Sequence, residues 1–109
     1  MRKSVLTPEL LVLIAERFKA LAEPARLQIL HCLRTGERTV SELVEESGLG
    51  QANVSKHLQL LHVMSFVSRR KEGLFVYYAI ADRSVYELCD VMCGRLDAEV
   101  KTRRKILVG

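Results

Sequence analysis

The sequence predicts a mainly α fold with one small β-hairpin (α+β), in the order ααααββα. Apolar residues recur at helical spacing along most of the chain, and helix start and stop signals punctuate the intervals. Two runs rich in β-branched and aromatic residues flank a Glu-Gly pair, as a hairpin does. With 109 residues, 49% hydrophobic and 28% charged, the chain is expected to form one domain over 1–109 with a real core. No Pro/Gly/Ser tract and no internal repeat marks a linker.

Thr7-Pro8-Glu9 forms a helix start, with Thr as N-cap, Pro at the first helical position and an acid facing the positive end of the dipole. Leu10, Leu11, Ile14, Phe18 and Leu21 carry that helix to about Ala22. Pro24 restarts the chain, Leu27, Ile29, Leu30 and Leu33 mark a second helix, and Gly36 ends it. Thr39-Val40-Ser41-Glu42 has the form of a capping box opening a short third helix, Val40 to Ser47. Gly48 and Gly50 flank Leu49, which predicts a tight turn with Gly48 as left-handed C-cap and Leu49 as a core plug. A fourth helix over about Gln51 to Met64 buries Val54, Leu58 and Leu61 and turns Gln51, Asn53, Ser55, Lys56 and Gln59 outward. Phe66–Lys71 and Leu74–Ile80 are the strands, joined by Glu72-Gly73. Asp82 caps a last helix with an apolar stripe of Val85, Leu88, Cys89, Met92 and Leu96, ahead of a basic tail of Lys101, Arg103, Arg104 and Lys105.

A short helix, a Gly-containing turn and a second helix with small polar and basic residues at its exposed start match the helix-turn-helix pattern. The net charge is only +4, but its distribution is uneven. From Ser47 to Lys71 there is no acid, while Lys56, Arg69, Arg70 and Lys71 supply four cations. Amides, hydroxyls and cations suit base edges and phosphates, and carboxylates would be repelled. The expected DNA-facing set is therefore Gln51, Asn53, Ser55, Lys56, His57 and Gln59 on the fourth helix, with Arg69, Arg70 and Lys71 on the hairpin or "wing".

Amphipathic helices at both chain ends exceed what so small a domain covers from within. They predict a homodimer through the first and last helices, with Leu10, Leu11, Ile14, Phe18, Val85, Leu88, Met92 and Leu96 at the interface and two recognition helices set for a near-palindromic double-stranded operator. The apolar run Leu10 to Ala15 lies between Glu9 and Glu16 and is too short for a membrane span or export signal. Together with an odd number of cysteines, three, this predicts a cytoplasmic protein with reduced thiols. Gly-rich phosphate loops, Ser/His/Asp elbows and paired carboxylates are absent, which argues against an enzyme. A protein-binding module would place carboxylates or apolar residues on the outer side of the fourth helix, where carboxylates are absent and apolar residues few.

Across nearly its whole length the chain resembles the ArsR/SmtB family of winged helix-turn-helix repressors. The resembling stretches are Phe18 to Leu30, Ser41-Glu42-Leu43, Gln51 to Leu58 with Leu61, and Val76-Tyr77-Tyr78. The resemblance implies a homodimer that represses its operator until an inducer loosens it, often a metal or metalloid. The family's usual inducer sites do not carry over. Thr39 to Leu43 lack the Cys-x-Cys pair of the arsenic and cadmium sensors. Asp82 fits the last-helix site of the zinc and cobalt sensors, but Ser84, Arg95 and Ala98 occupy its other positions.

Cys89 and Cys93, four apart on a helix, place two thiols on one face. The pair suits a soft ion such as As(III), with Cys32 or a partner chain completing the set. Packing is the stronger of the two readings, with Cys89 and Cys93 as small hydrophobes on the dimer stripe and Cys32 in the core. Thiol oxidation at any of the three is the alternative signal. His31 has no partner in the sequence and reads as a satisfied histidine, His62 reads as a surface or hairpin-packing residue, and the tail either reaches DNA or solubilises the helix end.

Overall fold

The computed structural model describes residues 5–108. Helix α1 spans Pro8–Leu21 and α2 spans Pro24–Cys32, followed by a 3-10 turn at Leu33–Thr35. Strand β1 (Arg38–Thr39) leads straight into α3 (Val40–Ser47), and α4 (Gln51–Val63) follows after the Gly-Leu-Gly turn. Strands β2 (Val67–Glu72) and β3 (Phe75–Ile80) form the hairpin, and α5 runs Ser84–Val108. The predicted order holds, with β1 as an addition. At two residues, β1 is too short to leave a periodic signal. It pairs antiparallel with β3, Arg38 opposite Tyr78, and gives a sheet of order β1-β3-β2.

The predicted caps form. Thr7 Oγ1 accepts from the Leu10 N–H at 3.1 Å. At α3 the capping box is reciprocal: Thr39 Oγ1 accepts from the Glu42 N–H at 3.2 Å and Glu42 Oε1 from the Thr39 N–H at 2.9 Å. Hydrogen bonding of that carboxylate to the Thr39 N–H, and next to the Thr39 side chain, holds the Glu42 carboxyl below its ordinary pKa. Gly48 ends α3 with φ 75° and its N–H on the Val44 carbonyl, a conformation in which any Cβ is strained. At the last helix Asp82 Oδ1 accepts from the Ser84 N–H at 3.0 Å.

Two boundaries differ from expectation. Glu72 pairs with Phe75, so the hairpin loop is Gly73-Leu74 rather than Glu72-Gly73. Gly73 takes φ 59°, the value that a two-residue loop needs at its first central position. The basic segment expected as a tail belongs to α5, which continues helical for 25 residues.

The core lies where α2, α3, α4, the hairpin and the start of α5 meet. Ile29, Leu43, Val54, Leu58, Leu61 and Val85 are completely shielded, and Leu49 packs against them as the predicted plug. Each such aliphatic side chain contributes about 1.5–3 kcal/mol by leaving water. Val85 was expected on the dimer face, and the structure corrects this. The first turn of α5 is pinned to α2 by Tyr86, whose hydroxyl donates to the Leu30 carbonyl at 2.7 Å, and Val85 beside it is drawn into the chain's own core.

Candidate nucleic-acid interface

The helix-turn-helix is braced from several sides. Gln28 Nε2 on α2 donates to the Ser47 carbonyl at 2.9 Å, and Ser47 Oγ accepts from the Leu49 N–H at 3.1 Å. With Val54, Leu58 and Leu61 inward, α4 has only one way to face. Gln51, Asn53, Ser55, Lys56 and Gln59 are all exposed, on one acid-free surface. The start of α4 also differs from those of α1 and α3. Gly50 occupies its N-cap with no side-chain hydrogen bond, and its first turn holds no acid. Its leading amides and the positive end of its dipole therefore remain open to an anion such as a backbone phosphate.

His57 does not join that surface. It is half-buried, with Nδ1 3.3 Å from Arg26 Nη1. Arg26 also donates through Nε to the Ala20 carbonyl at 2.6 Å and through Nη2 to the Lys19 carbonyl at 3.2 Å. One guanidinium thus ties the end of α1 and the start of α2 to the recognition helix, and His57, expected as a phosphate contact, serves as a packing partner in this clamp through Nδ1. Burial foremost, and then the Arg26 charge, lower the His57 pKa. Arg26 was not anticipated as an interface-building residue. A signal existed, because a cation in the first turn of a helix opposes the dipole and calls for a partner.

On the wing, Arg69, Arg70 and Lys71 are exposed, but they are not equivalent. Among the described residues Arg69 and Lys71 have no acidic partner, whereas Arg70 forms ion pairs with Glu37 at 2.7 Å and Glu72 at 2.5 Å. Its guanidinium also lies 4.6 Å from the Tyr77 ring centroid. The expectation that Arg70 meets phosphate is corrected to this extent: its charge is already matched within the chain. The two carboxylates raise its pKa above the ordinary guanidinium value. Nothing in the sequence flags Glu37, thirty-three residues away.

Elsewhere, α1 and α5 leave apolar surface uncovered. Leu11, Phe18, Leu88, Met92 and Leu96 are 49–60% exposed, and Leu10 and Ile14 are half-buried. Cys89 is half-buried and Cys93 exposed. Both line one groove of about 450 Å³ with Leu27, Met92, Leu96 and Val100. Cys32 is corrected as a third ligand: it packs against the core, and no trio of His, Cys, Asp or Glu fit for a metal occurs among the described residues. Burial, with Glu46 adding, pushes the Cys32 thiol pKa up, away from a reactive thiolate.

Comparisons with known proteins agree with this architecture. The family model described as bacterial regulatory protein, arsR family, matches residues 23–69. The chain is 42% identical over 81 residues to a probable mercury resistance operon repressor of Streptomyces lividans, covering 74% of this chain and 63% of that protein. It therefore spans less than two thirds of that relative's length. The crystal structure of M. tuberculosis Rv0081 superposes with a TM-score of 0.77 at 36% identity, covering 90% of this chain and 98% of that one. The homodimeric winged helix-turn-helix DNA-binding domain of Mb0332 from Mycobacterium bovis, a possible ArsR-family regulator, superposes with a TM-score of 0.74 at 35% identity, covering 89% of this chain and 90% of that one. These proteins are named as regulators and not as enzymes, the fold they share is the winged helix-turn-helix, and this chain belongs to the arsR family of bacterial regulatory proteins.

Proposed function

We propose that the protein is a homodimeric transcriptional repressor that binds double-stranded operator DNA in the cytoplasm, including its own promoter, and is released by a small inducer. The observation that carries this reading is the exposed, acid-free face of Gln51, Asn53, Ser55, Lys56 and Gln59 on a helix whose N-terminus has no side-chain cap. Amide and hydroxyl groups there read base edges, while Lys56 and the open amides hold phosphates. A second copy covers the apolar faces of α1 and α5 and sets two such helices one operator turn apart.

The inducer reading rests on Cys89 and Cys93. Two thiols in one groove suit a thiophilic ion, with a partner chain supplying any further ligand. An ion there occupies the face that a second copy covers, so ion binding and half-site spacing draw on the same contacts. The mercury relative's name is consistent with such a signal.

Fluorescence anisotropy of the reduced protein on its upstream promoter duplex tests both parts, with arsenite, mercuric, cadmium and zinc ions and a mild oxidant as effectors. Specific binding that a soft ion releases, and that it no longer releases in Cys89→Ser/Cys93→Ser, supports the whole reading. Tight binding that nothing releases leaves a repressor whose cysteines only pack. Release by the oxidant alone, with an intermolecular disulfide in the mass spectrum, moves the signal to thiol oxidation. An absence of specific binding removes the repressor reading itself.

A further inference from the structure

We propose that Glu37 and Arg70 are positioning residues that fix the wing against the α3–α4 unit, leaving phosphate contact on the wing to Arg69 and Lys71. This rests on the DNA-binding reading above. Side chains alternate across a strand, so Arg69 and Lys71 leave one face of β2 and Arg70 the other. On its face Arg70 stands opposite Tyr77, its cross-strand neighbour, and stacks on that ring. Its fork meets Glu37 twice, Nη2 to Oε1 at 2.7 Å and Nε to Oε2 at 3.4 Å, and Nη1 meets Glu72. Two carboxylates on one guanidinium leave no net positive charge to offer a phosphate.

Glu37 is well placed to transmit orientation. It directly precedes β1, which pairs with β3 of the wing and ends in Thr39, the N-cap of α3. The next residue, Arg38, bonds Glu46 on α3 at 3.0 Å and the Thr35 hydroxyl at 3.1 Å. One short segment therefore holds the wing by Glu37 and the helix-turn-helix by Arg38. Exposed ion pairs add little stability. A two-point fork stacked on an aromatic ring instead fixes direction, which a lysine could not do.

The test uses the full chain on its promoter duplex over a range of salt. Arg69→Ala and Lys71→Ala should each flatten the dependence of log K on log salt by about 0.9, the loss of one phosphate contact. The charge-neutral Glu37→Gln/Arg70→Gln should bind more weakly with an unchanged slope. Arg70→Glu should weaken binding about tenfold or more, and the swap Glu37→Arg/Arg70→Glu should recover to within about threefold, because it restores the pair and the net charge. A slope lowered by about 0.9 in the double Gln variant would make Arg70 a phosphate contact and overturn the proposal, as would a swap no better than Arg70→Glu. Should the wild-type chain bind no duplex, the DNA-binding reading fails separately. Amide hydrogen exchange of β2 and β3 then decides the latch alone: faster exchange in Glu37→Gln supports it, and identical exchange refutes it.

Discussion

Helices α4 and α5 both carry an apolar stripe in the sequence, and the fold treats them in opposite ways. In α4 the stripe is closed within the chain, with Val54, Leu58 and Leu61 completely shielded, and what remains outside is polar apart from Ala52 and Val63 at its two ends. In α5, among the described residues, only Val85 and Tyr86 are buried. Beyond them Leu88, Val91, Met92, Leu96 and Val100 stay 48–68% exposed. The contrast separates two kinds of surface. The outer face of α4 is chemically complete and offers hydrogen bonds and charge, which suits a polyanion. The outer face of α5 is apolar and unfinished, which suits a second protein surface of the same kind.

The sharpest way to break this comparison is to charge the α5 face. Met92→Glu/Leu96→Glu leaves the monomer's own contacts intact, since both residues are 53–60% exposed. In a dimer it sets like charges together at a cost of several kcal/mol. Sedimentation should then show monomers, and thermal melting should lose its dependence on protein concentration. A variant that still dimerises would show that another face makes the contact. The corresponding change inside α4, Leu58→Ala, should cost about 2–5 kcal/mol of folding stability whatever the concentration. Denaturant titration reads this directly, and a loss below about 0.5 kcal/mol would mean that the α4 stripe is not core.

These two helices also show what the sequence made legible. The α4 stripe, the capping box at Thr39 and the left-handed Gly48 were readable because local chemistry specifies each within a few residues. Val85 was misplaced because the same periodic stripe divides between the chain's own core in its first turn and an uncovered face afterwards, the face assigned to a second copy in the proposed dimer, and periodicity cannot separate the two. His57 and Arg70 were assigned to DNA on position and charge. Their actual partners, Arg26 and Glu37, lie 31 and 33 residues away and are brought in only by tertiary packing. The outward placement of Gln51, Asn53, Ser55, Lys56 and Gln59 depends on no such partner, so their exposure was readable from the sequence.

Within the polar face itself, smaller effects should distinguish base contacts from phosphate contacts. Gln51→Ala or Ser55→Ala should alter preference among operator variants, by about 1–3 kcal/mol where the side chain pairs well with a base. Lys56→Ala should instead weaken binding to every duplex alike and flatten the salt dependence by about 0.9. Competition binding on a set of single-base operator variants separates the two patterns. If Lys56→Ala changed preference and Gln51→Ala did not, the orientation of α4 in the groove would differ from the one its exposed face implies.

The smallest effect expected concerns the inner edge of α4, where His57 accepts from Arg26. Protonating Nδ1 replaces that bond by two facing cations. Around the ring stand Arg26 on α2 and Lys56 on α4, which oppose its charge, and Glu23 at the start of α2, which favours it, with burial the largest influence and the net shift downward. A folded-state pKa below the unfolded value of about 6.5 means that the unfolded chain binds the proton more readily. The stability from neutral His57 is therefore present above about pH 6.5 and is lost as the pH falls through the folded value. Glu42 and Asp82, both held below the carboxylate range by hydrogen bonds from Thr39 and Ser84, lose their contributions only in more acid solution. Thermal melts between pH 7.5 and 5.5 should thus fall further for the wild-type chain than for His57→Gln, which keeps a polar side chain there and cannot titrate. Parallel curves for the two would mean that the Arg26–His57 contact does not report on the protonation of His57.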